Sequence, residues 1–169
     1  MRCINWQIAS VAAALLIGAT VGDAAAGSNT PKQVEVVDDT VTGKALLGRF
    51  DYVGKWQHVH GKHDGRTNGT STRSTHTGDV AIFRFIGTRI RLYGIRGPSG
   101  GRAGIALDEA STGGVPVDFY APRIQTHALI YESPALARGV HDLSIVVWGT
   151  RDMHGHYYYV NIDGVEFEP

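Results

Sequence analysis

From residue 34 to residue 167 the chain alternates apolar and polar side chains in short runs separated by glycine-rich punctuation. Ile90 and Leu92 alternate with Arg89, Arg91 and Tyr93, and Leu143, Ile145 and Val147 alternate with Asp142 and Ser144. Val115, Val117 and Phe119 do the same against Pro116, Asp118 and Tyr120. A period of two puts alternate side chains on opposite faces of an extended segment, so each run predicts a strand with one buried face. Strands are expected at 34–37, 49–57, 79–86, 89–95, 103–108, 115–120, 126–132, 140–148 and 156–163, with a final extended piece through Val165 and Phe167. Val80-Ala81-Ile82-Phe83 is apolar at every position, which predicts a strand covered on both faces. Gly87-Thr88 predicts a tight hairpin link. So many strands with one apolar face each are buried most simply by packing two sheets together, an all-β, two-sheet antiparallel β-sandwich.

The first 26 residues break this pattern. Arg2 precedes an apolar stretch at 8–21, and Ala24-Ala25-Ala26 supplies small residues at a cleavage position. The expected organisation is a signal-peptide helix at 1–26, a short tether at 27–33 and a β-sandwich binding domain at 34–169. That makes the protein secreted or periplasmic, with no stable membrane span after processing. The only cysteine, Cys3, lies within the leader, so core packing alone must hold the mature domain. The 169 residues suit one domain, and 22 glycines fit a fold rich in turns. Lys plus Arg equals Asp plus Glu at 16 each, which argues against nucleic acid as a partner.

Several residues then stand out as an ordered set. They are Phe50-Asp51-Tyr52-Val53-Gly54-Lys55-Trp56, Phe83-Arg84-Phe85-Ile86-Gly87-Thr88, Leu92-Tyr93-Gly94, Gly97-Pro98 with Gly101, and Asp118-Phe119-Tyr120-Ala121. Leu136 with Gly139 and His141, Trp148-Gly149-Thr150, and Val160-Asn161-Ile162-Asp163 complete it. This order resembles the galactose-binding-like jelly-roll modules attached to many secreted bacterial carbohydrate-active enzymes, over nearly the whole mature chain. The resemblance implies a jelly roll and a glycan or glycoconjugate as partner. Such modules usually accompany a catalytic domain, for which this length leaves no room. Asp108-Glu109 also departs from the Asp-Gly commonly found in the family after the alternating strand.

Strand parity suggests where a ligand sits. If successive strands run antiparallel, the connections at 58–78, 96–102, 121–125 and 149–155 emerge at one end. Seven of the eight histidines fall in or beside them: His58, His60, His63, His76, His127, His154 and His156. The expected ligand-binding set is Trp56, His58, His63, Asp64, Arg66, His76, Arg96, Tyr120, Arg123, His127, Trp148, Arg151 and His156. Aromatic faces can stack on sugar rings, and charged and amide side chains can address hydroxyls.

Other chemistries stay open at this point. His58, His60 and His63 are candidate ligands for a transition metal, because i, i+2 spacing on an extended segment puts two imidazoles on one face. Asp38, Asp39 and Asp163 are candidate ligands for a structural calcium ion if the first and last strands pair; the simpler reading makes Asp38 and Asp39 turn residues. Tyr157-Tyr158-Tyr159 predicts an inward Tyr158 between outward Tyr157 and Tyr159, an aromatic strip able to contact sugar or a protein partner. No nucleophile elbow, HExxH or P-loop is present, so a non-catalytic role is favoured. The expectation is an exported carbohydrate-binding module. The alternatives are a surface adhesive or structural domain, or a small histidine-based enzyme acting on polysaccharide, metal-dependent or not.

Overall fold

The computed structural model describes residues 33–61, 65–108, 114–149 and 158–169. The expected signal peptide and nearly all of the tether lie outside these. The strands are β1 (Glu35–Asp38), β2 (Arg49–Val53), β3 (Gln57–His60), β4 (Thr70–Ser74), β5 (Val80–Gly87), β6 (Arg89–Arg96), β7 (Arg102–Leu107), β8 (Val115–Asp118), β9 (Gln125–Glu132), β10 (Gly139–Val147) and β11 (Val160–Glu168). One sheet runs β3-β4-β11-β6-β9, with β1 also on β11, and the other runs β2-β5-β10-β7-β8. All pairs are antiparallel. The protein is a two-sheet antiparallel β-sandwich, as the alternation requires.

Two predicted inward sets form the core: Leu143, Ile145 and Val147 from β10, and Ile90 and Leu92 from β6, are all essentially inaccessible to water, whereas of Val115, Val117 and Phe119 only Phe119 is fully buried and Val115 is exposed. Phe83 lies between Phe50, with ring centroids 4.9 Å apart, and Phe167, at 5.9 Å, which locks the two sheets together. Besides Gly87 at its end, β5 is fully buried at Ala81, Phe83 and Phe85. Its outward Ile82 is half-buried in a shallow depression with Ala45 and Leu46, so the cover on its second face is partial.

Three boundaries differ from expectation, each for a physical reason. The segment 49–57 is not one strand. Gly54 turns the chain at φ 110°, so close to Asp79 that a Cβ would lie 2.0 Å from its Oδ1. The Lys55 N–H donates to Asp79 Oδ2 at 2.9 Å, and Gln57 continues in the other sheet as β3. Second, β4 crosses the stretch expected to be loop. Its sequence Thr-Ser-Thr-Arg-Ser carries no apolar side chain, yet Thr70, Ser71, Thr72 and Ser74 are buried. Hydroxyl bonds to Asp38, Asp39 and Asp79 replace hydrophobic burial there. Third, β11 runs unbroken through Val165 and Phe167, with a register shift between Ile162 and Gly164. The strands β3 and β4 divide the expected connection 58–78: residues 61–69 join them at the Thr70 end, and residues 75–79 follow Ser74 beside Val160.

β4 pairs with Val160–Ile162 and β1 with Gly164–Phe167, so β1 and β4 lie end to end along one edge of β11. The pairing of first and last strands brings Asp38 and Asp39 toward Asp163.

Candidate functional site

Val160 and Ile162 point into the core, so Asn161 between them faces outward, opposite Arg73 on β4. On β6, Leu92 is buried and Ile95 lies on the outward side with Tyr93. Beyond Arg96 the chain turns through Gly97-Pro98-Ser99-Gly100-Gly101. One flank of this turn is held by Gly97 N–H to the Phe119 carbonyl (3.0 Å), Ala121 N–H to Gly97 (3.1 Å) and Phe119 N–H to Gly101 (2.8 Å). The other flank is held by Tyr159 N–H to Ser99 (2.8 Å) and Gly101 N–H to Tyr159 (2.9 Å). A turn clamped on both sides is a rigid wall.

Behind that wall lies a cavity of about 790 Å³ lined by Arg66, Arg73, Ile95, Arg96, residues 97–100, Ile124, Tyr158, Tyr159 and Asn161. This is within the size range of small-ligand sites. Three of the four loop groups brought together by parity contribute to it. The fourth, 149–155, lies outside the described residues apart from Gly149.

The lining combines flat apolar surface with strong donors. The Arg73 guanidinium sits 4.3 Å from the centroid of the Tyr159 ring, a cation–π contact. Arg66 Nη1 donates to Ser71 Oγ at 3.3 Å. Arg73 Nε, Arg96 Nε and Asn161 Oδ1 are shielded from water and have no hydrogen-bond partner among the described residues. Leaving such groups unmet costs about 1–3 kcal/mol each. No Asp or Glu is among the described lining. The site can therefore stack a ring, fork a planar anion or hydroxyl pair, and offer an amide.

Of the expected set, Arg66 and Arg96 reach this cavity. Trp56 does not; its Nε1 donates to the Val53 carbonyl (3.2 Å) and its ring packs on Tyr52 at 5.2 Å. His58 pairs with Thr72 across β3 and β4, which turns it toward Tyr52 and away from the outward face. Its Nδ1 is bonded to Thr72 Oγ1 at 2.6 Å. His60 is exposed at the end of β3. His76 is exposed beside a small groove on the far side of Arg73 and Tyr159. Tyr120 and Arg123 are exposed, and Trp148 is half-buried, with its carbonyl accepting from Thr77 Oγ1 at 3.4 Å. His127 has φ 49° and lies flat on Tyr93, 4.3 Å between centroids at 2°. Its Nδ1 is 2.8 Å from Asp163 Oδ2. His63, Asp64, Arg151 and His156, with His154 and Tyr157, lie outside the described residues.

The cavity residues absent from the expected set are Arg73, Ile95, Ile124, Tyr158, Tyr159, Asn161 and the wall itself. Arg73 was hidden because β4 has no hydrophobic alternation. Tyr159 carried a signal, as an outward member of the tyrosine triplet.

Asp38, Asp39 and Asp163 form a separate, buried cluster. Thr70 Oγ1 donates to Asp39 at 2.8 Å and also reaches Asp38 at 3.1 Å; Thr72 Oγ1 donates to Asp39 Oδ2 at 2.5 Å. The Thr67 N–H donates to Asp163 at 2.9 Å. Burial pushes the Asp39 carboxyl up to about 6, helped by the charges of Asp38 and Asp163 and opposed by the Thr72 and Thr70 hydroxyls. Among the described residues no group of three or more His, Cys, Asp or Glu side chains is placed to hold a metal ion. Hydroxyl and amide donors meet these carboxylates instead. Asp39 does lie in a turn, with Val41 N–H donating to the Asp38 carbonyl at 3.1 Å, but Asp38 and Asp39 are themselves buried there.

No family model matches the sequence. No curated protein matches it either. Solved structures with a similar arrangement of strands include a family two carbohydrate esterase from Cellvibrio japonicus, at 12% identity and a TM-score of 0.47, covering 80% of this chain and 33% of the esterase. They also include the CBM36-1 domain of a xylanase from the hindgut metagenome of Trinervitermes trinervoides, at 13% identity and 0.47, covering 81% and 98%. A third is a β-1,3-glucan-binding CBM6 from Bacillus halodurans, at 16% and 0.44, covering 82% and 97%. The chain thus spans about a third of the esterase and nearly all of the two modules. What those proteins bind is theirs, and nothing about this chain's ligand follows from it.

Proposed function

We propose that this chain is an exported, non-catalytic glycan-binding module, and that the cavity behind the 97–101 turn is its binding site. The single observation that carries this is the composition of that cavity: a tyrosine ring and aliphatic side chains beside Arg73 Nε, Arg96 Nε and Asn161 Oδ1, buried atoms with no hydrogen-bond partner among the described residues. A sugar ring offers the complementary surface, one face of C–H groups and an edge of hydroxyls. The resemblance of the sequence to galactose-binding-like modules supports the same ligand class. Export rests on the leader at 1–26; no helix among the described residues is long and apolar enough to cross a membrane.

A glycan array on the chain from Gly27 onward, followed by calorimetric titration with the best hit, tests the reading. Tyr159→Ala is expected to weaken that binding about tenfold, or ~1.4 kcal/mol, because it removes both the stacking surface and the seat of Arg73. Product analysis of the incubated glycan is expected to show no turnover. A folded protein that binds nothing on the array would reject the proposal.

A further inference from the structure

Four arginines elsewhere on the described surface are matched to carboxylates. Arg84 forks onto Asp142, with Nε to Oδ1 at 2.7 Å and Nη2 to Oδ2 at 2.6 Å. Arg89 and Arg91 converge on Glu132 at 3.1 and 3.0 Å, and Arg102 faces Asp118 at 3.5 Å. Arg73 and Arg96 instead share one cavity lining, and neither has an acidic partner among the described residues. Arg66, anchored to Ser71, brings a third guanidinium to the same lining.

With 16 basic and 16 acidic residues, the chain as a whole has no excess of charge. The cavity nevertheless brings guanidiniums together in a described lining that holds no Asp or Glu. Like charges such as Arg73 and Arg96 in one lining repel one another, and low-dielectric walls such as Ile95, Ile124 and the Tyr159 ring strengthen that repulsion. An incoming anion relieves it. Guanidinium is also the side chain whose fork matches a planar carboxylate or a sulfate.

We propose that the cavity takes an acidic glycan, a sugar chain whose rings carry carboxylate or sulfate groups. The inference rests on the glycan reading above and adds the charge of the ligand. The apolar part of the lining meets the ring face, while Arg73 and Arg96 meet the oxyanion and Asn161 a neighbouring hydroxyl. A free polyanion without such a ring would leave the tyrosine and isoleucine surface uncovered.

Calorimetric titration with three probes of matched length tests this: an oligogalacturonate, a chondroitin sulfate oligosaccharide and a xylo-oligosaccharide. At least one acidic probe is expected to bind tenfold or more tighter than the neutral one, with the margin shrinking as salt is raised. Which acidic probe is preferred distinguishes carboxylate from sulfate. Arg96→Ala is expected to cut the acidic preference about tenfold. Arg96→Lys, which keeps the charge and loses the fork, should fall between it and the parent. Circular dichroism of each variant confirms that it is folded. A neutral probe bound as tightly as both acidic ones would overturn the acidic assignment while leaving glycan binding in place. An acidic preference untouched by Arg96→Ala and by Arg73→Ala would overturn the role given to this cavity. Failure of the folded protein to bind any probe would overturn both readings.

Discussion

Asp39→Asn is expected to raise the thermal midpoint of the chelator-treated protein at neutral pH and to remove most of its acid-side pH dependence. In the unfolded chain Asp39 ionises near 3.8, and in the folded protein at about 6. Between those values only the folded state keeps the proton, so stability falls as pH rises through the window. Above it the whole penalty stands, roughly 3 kcal/mol for a shift of about two units. Asparagine is neutral at every pH and keeps one carbonyl oxygen for Thr72 or Thr70. Giving up one hydroxyl bond costs ~1 kcal/mol, which leaves a net gain of about 2 kcal/mol at neutral pH.

His141 adds to the same slope. Burial alone would lower its imidazole, but hydrogen bonds to Asp108 and the Ala137 carbonyl outweigh that and raise it. Its stabilisation is complete below the ordinary histidine value and is lost as pH rises through the raised one. On the acid side the paired carboxylates Glu132 and Asp142, both held below their usual range by arginines, lose their contribution as they protonate. The parent protein should therefore be most stable in mild acid. Differential scanning calorimetry across pH checks each limb. A calcium ion held by Asp38, Asp39 and Asp163 would reverse the sign: excess calcium would raise the parent midpoint and Asp39→Asn would lower it.

Gly100→Ala is expected to cost about 1–3 kcal/mol and to lower glycan affinity about a hundredfold, ~2.7 kcal/mol. The reason is space. A Cβ on Gly100 would lie 1.9 Å from the Phe119 carbonyl oxygen and 2.6 Å from the Tyr120 nitrogen, both backbone atoms that cannot yield. The turn must lift, and its bonds to Phe119, Ala121 and Tyr159 loosen together. Gly97→Ala is the matched control: its nearest contact, Ile124 Cγ1 at 3.6 Å, is ordinary van der Waals distance. Urea denaturation of both variants, with titration of the glycan, separates loss of the wall from general unfolding. Equal stability and affinity in the two variants would show that the clamped turn is not what shapes the site.

How much of this was legible in the chain can be argued strand by strand. Alternation located β6 and β10 because each has one face against a hydrophobic core and one against water, and an unbroken apolar run located β5. Alternation was silent on β4, whose buried face is made of hydroxyls bonded to carboxylates. A polar strand satisfied from within has no hydrophobic signature. Missing β4 also hid Arg73, since a residue read as loop has no face.

Of the connections grouped by parity, 58–78, 96–102 and 121–125 each supply a residue to the cavity lining, Arg66, Arg96 and Ile124 among them. Parity could not tell which side of a strand a side chain takes. His58 therefore stood among the candidates although its pairing with Thr72 turns it from the cavity. The 97–101 wall depends on main-chain bonds to residues distant in sequence, and only the run of glycines hinted at them.

The end-to-end placement of β1 and β4 along β11 has a consequence for how the domain would be displayed. Glu35 pairs with Phe167, so both ends of the folded chain leave from the same pole. The cavity lies at the opposite pole, where β11 begins with Val160. Eight residue steps at about 3.3 Å each separate the two, on the order of 25 Å. A stalk or neighbouring polypeptide joined at either end would grip the domain like a handle, with its binding mouth turned outward toward whatever the surroundings present.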